Sequence, residues 1–262
     1  MPVPYIGITD FTKFNQVESV SHVFNLWHDR QCPPRRLHIG VMMSRKTLLG
    51  IPTRWSNALP PKETIASIFR SPDTMNCLHY ADYDMVDLSA NLELAVKWGG
   101  EGINAVQLDM AWPNLSEIED SILGSGKKLE IILQVGSRAI EEAGDDPEKV
   151  ARKVERYAHF VDFVLLDKSS GKGVPMDAEA LAPFVRTLKQ ACPDLGIAVA
   201  GGLGPTTLNL VRPLVAEFPD LSIDAQGKLR PSSNALDPID WEMARLYIAR
   251  ALAMFNAACP RK

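Results

Sequence analysis

The sequence is short of everything that would make a membrane, nucleic-acid or metal protein easy to recognise. It contains no run of about 18 apolar residues, so no transmembrane helix is expected. The first ten residues, MPVPYIGITD, carry neither a basic cluster nor a long apolar core of the secretory kind, and a cytoplasmic location is the expectation. Basic residues are not in excess: 28 Lys and Arg stand against 32 Asp and Glu, the net charge is -4, and the cations are scattered. That excludes the electropositive stripe a nucleic-acid backbone requires.

Cysteine is sparse and unpaired in sequence. Cys32, Cys77, Cys192 and Cys259 lie too far apart for the close spacing of zinc sites, and they read as reduced structural residues. The five histidines form no HExxH or HxxxH pattern, although His22 and His28 fall on one expected helix, so no metal is expected. No G-x-G-x-x-G follows the first apolar run, which removes the dinucleotide fingerprint of a doubly wound sheet and with it any expected organic cofactor. No Pro-, Gly- or Ser-rich linker divides the chain.

What is present is regular. Short β-like runs recur at 4–9, 37–43, 76–81, 104–109, 129–135, 162–167, 196–200 and 221–224. Between them lie segments with helical spacing of apolar residues, among them VESVSHVFNLW, KETIASIF, LSANLELAVKW, PEKVARKVERYAHF, AEALAPFVRTL, TTLNLVRPLV and PIDWEMARLYIARALAMF. Strands alternating with helices imply parallel βαβ units, and eight such units in 262 residues with 46% hydrophobic content predict one α/β domain, a single (β/α)8 TIM barrel over residues 1–262. The segment 44–60 is long for a strand-to-helix loop and reads either as a cover over the barrel mouth or as a plain surface insertion.

Barrels place their chemistry at the C-terminal ends of the strands. Those ends carry Thr9-Asp10, Ser44-Arg45-Lys46, Asp109, Asp167-Lys168, Gly201-Gly202 and Asp224 with Gly227-Lys228. The pair Gly201-Gly202 is expected to open directly into a helix whose first amides would cradle a phosphate, with Gly227 and Lys228 beside it. Lys172, in the glycine-flanked SGKG, is either a second phosphate contact or an exposed turn. Asp167 is either a general acid or a carboxylate satisfied by loop amides or Lys168. Asp109 and Asp10 are base candidates, with a helix cap the plainer reading of Asp10.

These motifs resemble those of phosphoribosylanthranilate isomerase. "YIGIT" stands where that family has K-I-C-G-I-T, "VQLDM" where it has V-Q-L-H-G, and "LLD" followed by "GKGVPMD" where it has L-L-D and G-T-G-K-x-F-D. "VAGGLGP" matches L-A-G-G-L-x-P, and "IDAQG" followed by "LDP" stands for V-D-x-S-S-G and K-D-P. The resemblance implies an Amadori-type isomerisation of a small phosphorylated sugar, with Asp167 as the acid that opens the ring. It also implies Arg45, in "MSRK", as a carboxylate contact with Lys46 as its rival. The family's base, a strand-1 cysteine, maps onto Ile6, which cannot take a proton, so Asp109 or Asp10 would have to replace it. A monomer or homodimer is expected. A different sugar-phosphate enzyme on the same barrel, or a catalytically silent barrel that binds a phosphorylated metabolite, stands as the alternative.

Overall fold

A computed structural model describes residues 1–27, 33–168 and 175–258. Lys172, Cys32, Cys259 and His28 lie outside the described residues. The parallel strands β1 (Tyr5–Thr9), β2 (Arg36–Ser44), β3 (Met75–Ala81), β4 (Ala105–Asp109), β5 (Glu130–Gly136), β6 (Phe163–Asp167), β7 (Gly196–Ala200) and β8 (Ser222–Ala225) close into a barrel in sequence order. Closure is made by β1 on β8, with Ile6 opposite Ile223 and Gly7 opposite Asp224. The chain is thus an α/β (β/α)8 barrel.

Helices α1 (Phe14–Asn25), α2 (Arg45–Leu48), α3 (Ile65–Ile68), α4 (Leu88–Trp98), α5 (Leu115–Ser125), α6 (Ser137–Glu142), α7 (Pro147–Glu155), α8 (Ala178–Ala191), α9 (Arg212–Glu217) and α10 (Trp241–Ala258) surround it. Several start where side chains satisfy first-turn amides. Asn114 accepts from the amides of Ser116 and Glu117, Asp146 from those of Glu148 and Lys149, and Asp177 from that of Ala180. No helix among the described residues is long and apolar enough to cross a membrane.

The period-two alternation of each strand divides its side chains between two layers. Ile6, Ile8, Leu37, Ile39, Val106, Leu108, Val164 and Ile223 face outward and are buried beneath the helices. Each such side chain contributes about 1.5–3 kcal/mol by leaving water. Tyr5, Cys77, Ala105, Ile132, Phe163 and Ala198 fill the lower lumen. Gly196 has no room for a side chain, because a Cβ there would lie 2.3 Å from the Phe163 ring. At the floor, Arg36 of β2 and Glu130 of β5 form a bidentate ion pair with contacts of 2.5 and 2.6 Å. Cys77 and Cys192 are buried and unbonded.

Three expected helical segments are cut shorter. KETIASIF becomes a 3-10 turn over Lys62–Thr64 and the four-residue α3, and 147–160 stops as an α-helix at Glu155. TTLNLVRPLV splits into a 3-10 turn at Leu208–Leu210 and α9, with proline in the first turn of α9.

Candidate active site

Three groups of side chains meet at the C-terminal end of the lumen. The first lies on β1, β2 and β8. Thr9 donates its hydroxyl to Oδ2 of Asp224 at 2.8 Å, and the Nδ1 of His38 lies 3.9 Å from Oδ1 of the same carboxylate. Gly7 makes room for this pair: a Cβ there would lie 2.4 Å from Asp224 Oδ1 and 2.9 Å from His38 Nδ1. Burial pushes the Asp224 carboxyl up to about 6, opposed by the Thr9 hydrogen bond and by His79. Burial pushes the His38 ring down to about 3, so the imidazole is neutral at neutral pH.

The second group lies on β3, β4 and β5. His79, Gln107 and Asp109 belong to the lumen faces of β3 and β4, where alternation turns every second residue inward. Asp109 receives the Tyr83 hydroxyl on Oδ2 at 2.8 Å, and Nε2 of His79 lies 3.3 Å from the same oxygen. Behind them, Nε2 of Gln107 lies 3.2 Å from Nδ1 of His79 and 2.7 Å from Oε1 of Gln134. The His79 ring is pushed upward overall. Burial opposes its charge, and Asp109, Asp224 and Asp10 together outweigh that opposition. Tyr83 is an exposed side chain, but its hydroxyl is pushed upward by partial desolvation against the mouth and by the Asp109 and Asp167 carboxylates. Asp167, half-buried at the end of β6, is therefore in electrostatic reach of the Tyr83–Asp109 pair.

The third group is built from the loops after β7 and β8. Gly201 and Gly202 both hold positive φ, at 117° and 61°, the region that disfavours a side chain. The carbonyl of Gly202 accepts the Thr207 hydroxyl at 2.7 Å. Gly204 brings this loop onto the next one, since a Cβ there would lie 2.6 Å from the carbonyl oxygen of Lys228. Lys228 donates to Ser233 at 3.1 Å, and a Cβ at Gly227 would meet nothing within 4 Å.

Two sequence expectations are corrected here. No α-helix begins at Gly201-Gly202: the positive-φ glycines and Pro205 prolong the turn, and α9 starts only at Arg212. Any anion at this loop would meet loop amides rather than a helix end. Asp10 is not a cap, since the residue before α1 is Lys13; its Oδ2 accepts from Arg230 at 2.6 Å and Gln226 at 2.9 Å, while its buried Oδ1 takes no hydrogen bond. Lys168, a potential partner of Asp167, instead pairs with Asp145 at 2.9 Å.

Ile6 has a different meaning from the one its motif suggests. It is fully buried in the layer between strands and helices, so a cysteine at this position would not face the lumen. Arg45 opens α2 and lies 3.7 Å from the exposed Asp84, while Lys46 is exposed. His38, His79, Gln107 and Gln134 were not marked by strand ends; their signal is a polar residue on the lumen face of an otherwise apolar strand. Among the described residues, no three His, Cys, Asp or Glu side chains are grouped to hold a metal ion.

No family model matches the chain, and no curated protein matches it in sequence. Among solved structures it is similar to a phosphonopyruvate hydrolase, with a TM-score of 0.50 and 12% identity over 85% of this chain and 75% of that one. It is also similar to active domain 2 of a thermostable chitinase from Pyrococcus furiosus, solved as catalytic-site mutants with chito-oligosaccharides. There the TM-score is 0.54 and the identity 12%, over 100% of this chain and 98% of that one. The likeness is one of fold. At this identity the shared feature is the barrel, and the chemistry of the mouth must be argued from its own residues.

Proposed function

We propose that this barrel is an enzyme that isomerises a small phosphorylated sugar by acid–base chemistry at its C-terminal mouth. The observation that carries the reading is Asp109, a carboxylate at a strand end that receives Tyr83 and His79 on one oxygen and shares Tyr83's electrostatic surroundings with Asp167. An isomerisation of this class needs one group to protonate the ring oxygen and another to take a proton from the neighbouring carbon, with no net proton gained or lost. Asp167 is assigned the first role and Asp109 the second. The loop amides of Gly201 and Gly202, with Gly227 and Lys228 beside them, would receive the phosphate. Arg45, with its planar fork, would meet a substrate carboxylate if there is one. The reaction calls for no metal or organic cofactor. The two neighbouring barrels, a phosphonopyruvate hydrolase and a chitinase, lend a general precedent for an enzyme on this fold.

The outward-facing Ile6 favours a sugar phosphate other than phosphoribosylanthranilate, because the family's strand-1 base has no counterpart in the lumen. The test is turnover of a panel of aldose phosphates together with phosphoribosylanthranilate generated in place and followed by fluorescence. Asp167→Asn and Asp109→Asn are expected to lower turnover by about 10²–10⁴-fold while sparing ligand binding. Wild-type rates in both variants would remove the assigned acid and base. Phosphate-ligand binding without turnover of any substrate would establish a silent binding barrel instead.

A further inference from the structure

Beneath the mouth, four side chains from three adjacent strands form one hydrogen-bonded chain, and its donors and acceptors can be counted. Gln134 Oε1 lies 2.7 Å from Gln107 Nε2, which lies 3.2 Å from His79 Nδ1 and 3.5 Å from His79 Nε2. His79 Nε2 in turn lies 3.3 Å from Asp109 Oδ2. Gln107 and Gln134 are buried, as is His79, so water does not compete freely for these contacts. An ionised carboxylate only accepts, so Nε2 must carry hydrogen to satisfy Asp109. In a neutral imidazole that leaves Nδ1 as an acceptor, and the Gln107 amide supplies one hydrogen to it and its second to Gln134. The reverse arrangement, with both amides turned so that Gln107 Oε1 meets Nδ1, requires hydrogen on both ring nitrogens and therefore an imidazolium.

We propose that Gln107, oriented by Gln134, is a positioning residue that opposes a second proton on His79 and holds the hydrogen of the neutral ring on Nε2, directed at Asp109. The inference rests on the assignment of Asp109 as the base, since its purpose is to hold that carboxylate in place without neutralising it. An imidazolium beside Asp109 would weaken it as a proton acceptor, whereas a neutral N–H donor fixes its orientation at smaller cost to its basicity. The surroundings make such a device necessary. Asp109 on β4, Asp224 on β8 and Asp10 after β1 all favour charge on the ring, and His38 on β2, itself held neutral by burial, is a further ionisable neighbour. Tyr83 reaches the ring only through Asp109. Against these carboxylates the amide hydrogen directed at Nδ1 disfavours a second proton.

The proposal is tested by ¹H–¹⁵N NMR of protein labelled at histidine, with His79 assigned by comparison with His79→Asn. At a pH where the ring is neutral, the wild type is expected to show hydrogen on Nε2. Gln134→Met removes the acceptor that orients Gln107, freeing Oε1 to turn toward Nδ1, and should raise the titration midpoint of His79 by about one pH unit although Gln134 does not touch the ring. Gln107→Glu places an acceptor against Nδ1 and should raise it further, by about one to three units. Hydrogen on Nδ1 in the wild type, or an unchanged midpoint in Gln134→Met, would overturn the proposal. If Gln107→Glu does not fold, the wild-type spectrum and Gln134→Met still decide. These readouts need no substrate: the expected spectra without turnover would keep the positioning role and reject the isomerase, and turnover with unshifted midpoints would do the opposite.

Discussion

Arg230 Nη2 lies 2.6 Å from Oδ2 of Asp10, and these two buried side chains tie the ends of β1 and β8 together across the seam where the barrel closes. The Arg230 guanidinium is anchored further by donating to the carbonyls of Gln226 and Asp237. Removing one partner leaves an uncompensated charge in the interior, which costs about 3–5 kcal/mol. Arg230→Met should therefore lose stability of that order in urea unfolding, and Asp10→Asn combined with Arg230→Met should recover part of it. An additive double variant would mean the pair is not coupled.

The pH dependence of stability should carry the mark of Asp224. Its carboxyl titrates near 6 in the fold against an ordinary 3.8, so the folded state holds a proton that the unfolded chain has released. This contribution is complete below about pH 3.8 and is lost as pH rises through about 6, amounting to about 3 kcal/mol. His38 works in the opposite sense: neutral in the fold down to about 3 against an ordinary 6.5, it stabilises above about 6.5 and loses that contribution as pH falls. Asp224→Asn, which keeps an acceptor for Thr9, should gain stability relative to wild type between pH 4 and 7. An equal difference at both pH values would contradict the raised carboxyl.

A cysteine placed at position 6 should be silent. Because Ile6 belongs to the helix-facing layer, the thiol of Ile6→Cys should resist modification in the native protein and react only with unfolding. The lost methylene and methyl packing should cost about 1–3 kcal/mol, with no gain in turnover. A fast-reacting native thiol would show that the strand register differs from the one described.

Two glycines make a matched pair. A methyl at Gly7 meets Asp224 and His38 inside hard contact, whereas one at Gly227 meets nothing within 4 Å. Thermal or denaturant unfolding should find Gly7→Ala destabilised by about 1–3 kcal/mol and Gly227→Ala within about 0.5 kcal/mol of wild type. Equal effects at both positions would mean that the lumen can relax around the added carbon.

The strands were legible because each is a short apolar run bounded by turn residues, and all eight lie within a residue or so of the expected ranges. Helices were less so. α3 and α9 keep an apolar pattern that proline and neighbouring turns interrupt, and α5 carries few apolar positions behind a strong Asn114 cap. The strand-end rule marks Asp109 and Asp167, which lie at the ends of β4 and β6, but could not say that Asp10 is paired with Arg230, a residue 220 positions away. Nor could it find His79, Gln107 and Gln134, which lie within strands. Their meeting follows from which face of the barrel they share, and a motif alignment that sets Ile6 against a catalytic cysteine does not consult that face.

The bidentate tie between Arg36 and Glu130 at the floor of the lumen has a kinetic consequence. With aromatic and aliphatic side chains packed above it, the lower lumen is filled and gives no passage through the barrel. A molecule that reacts at the mouth must leave by the path it entered, so product and substrate exclude one another, and product inhibition of any turnover here should be competitive.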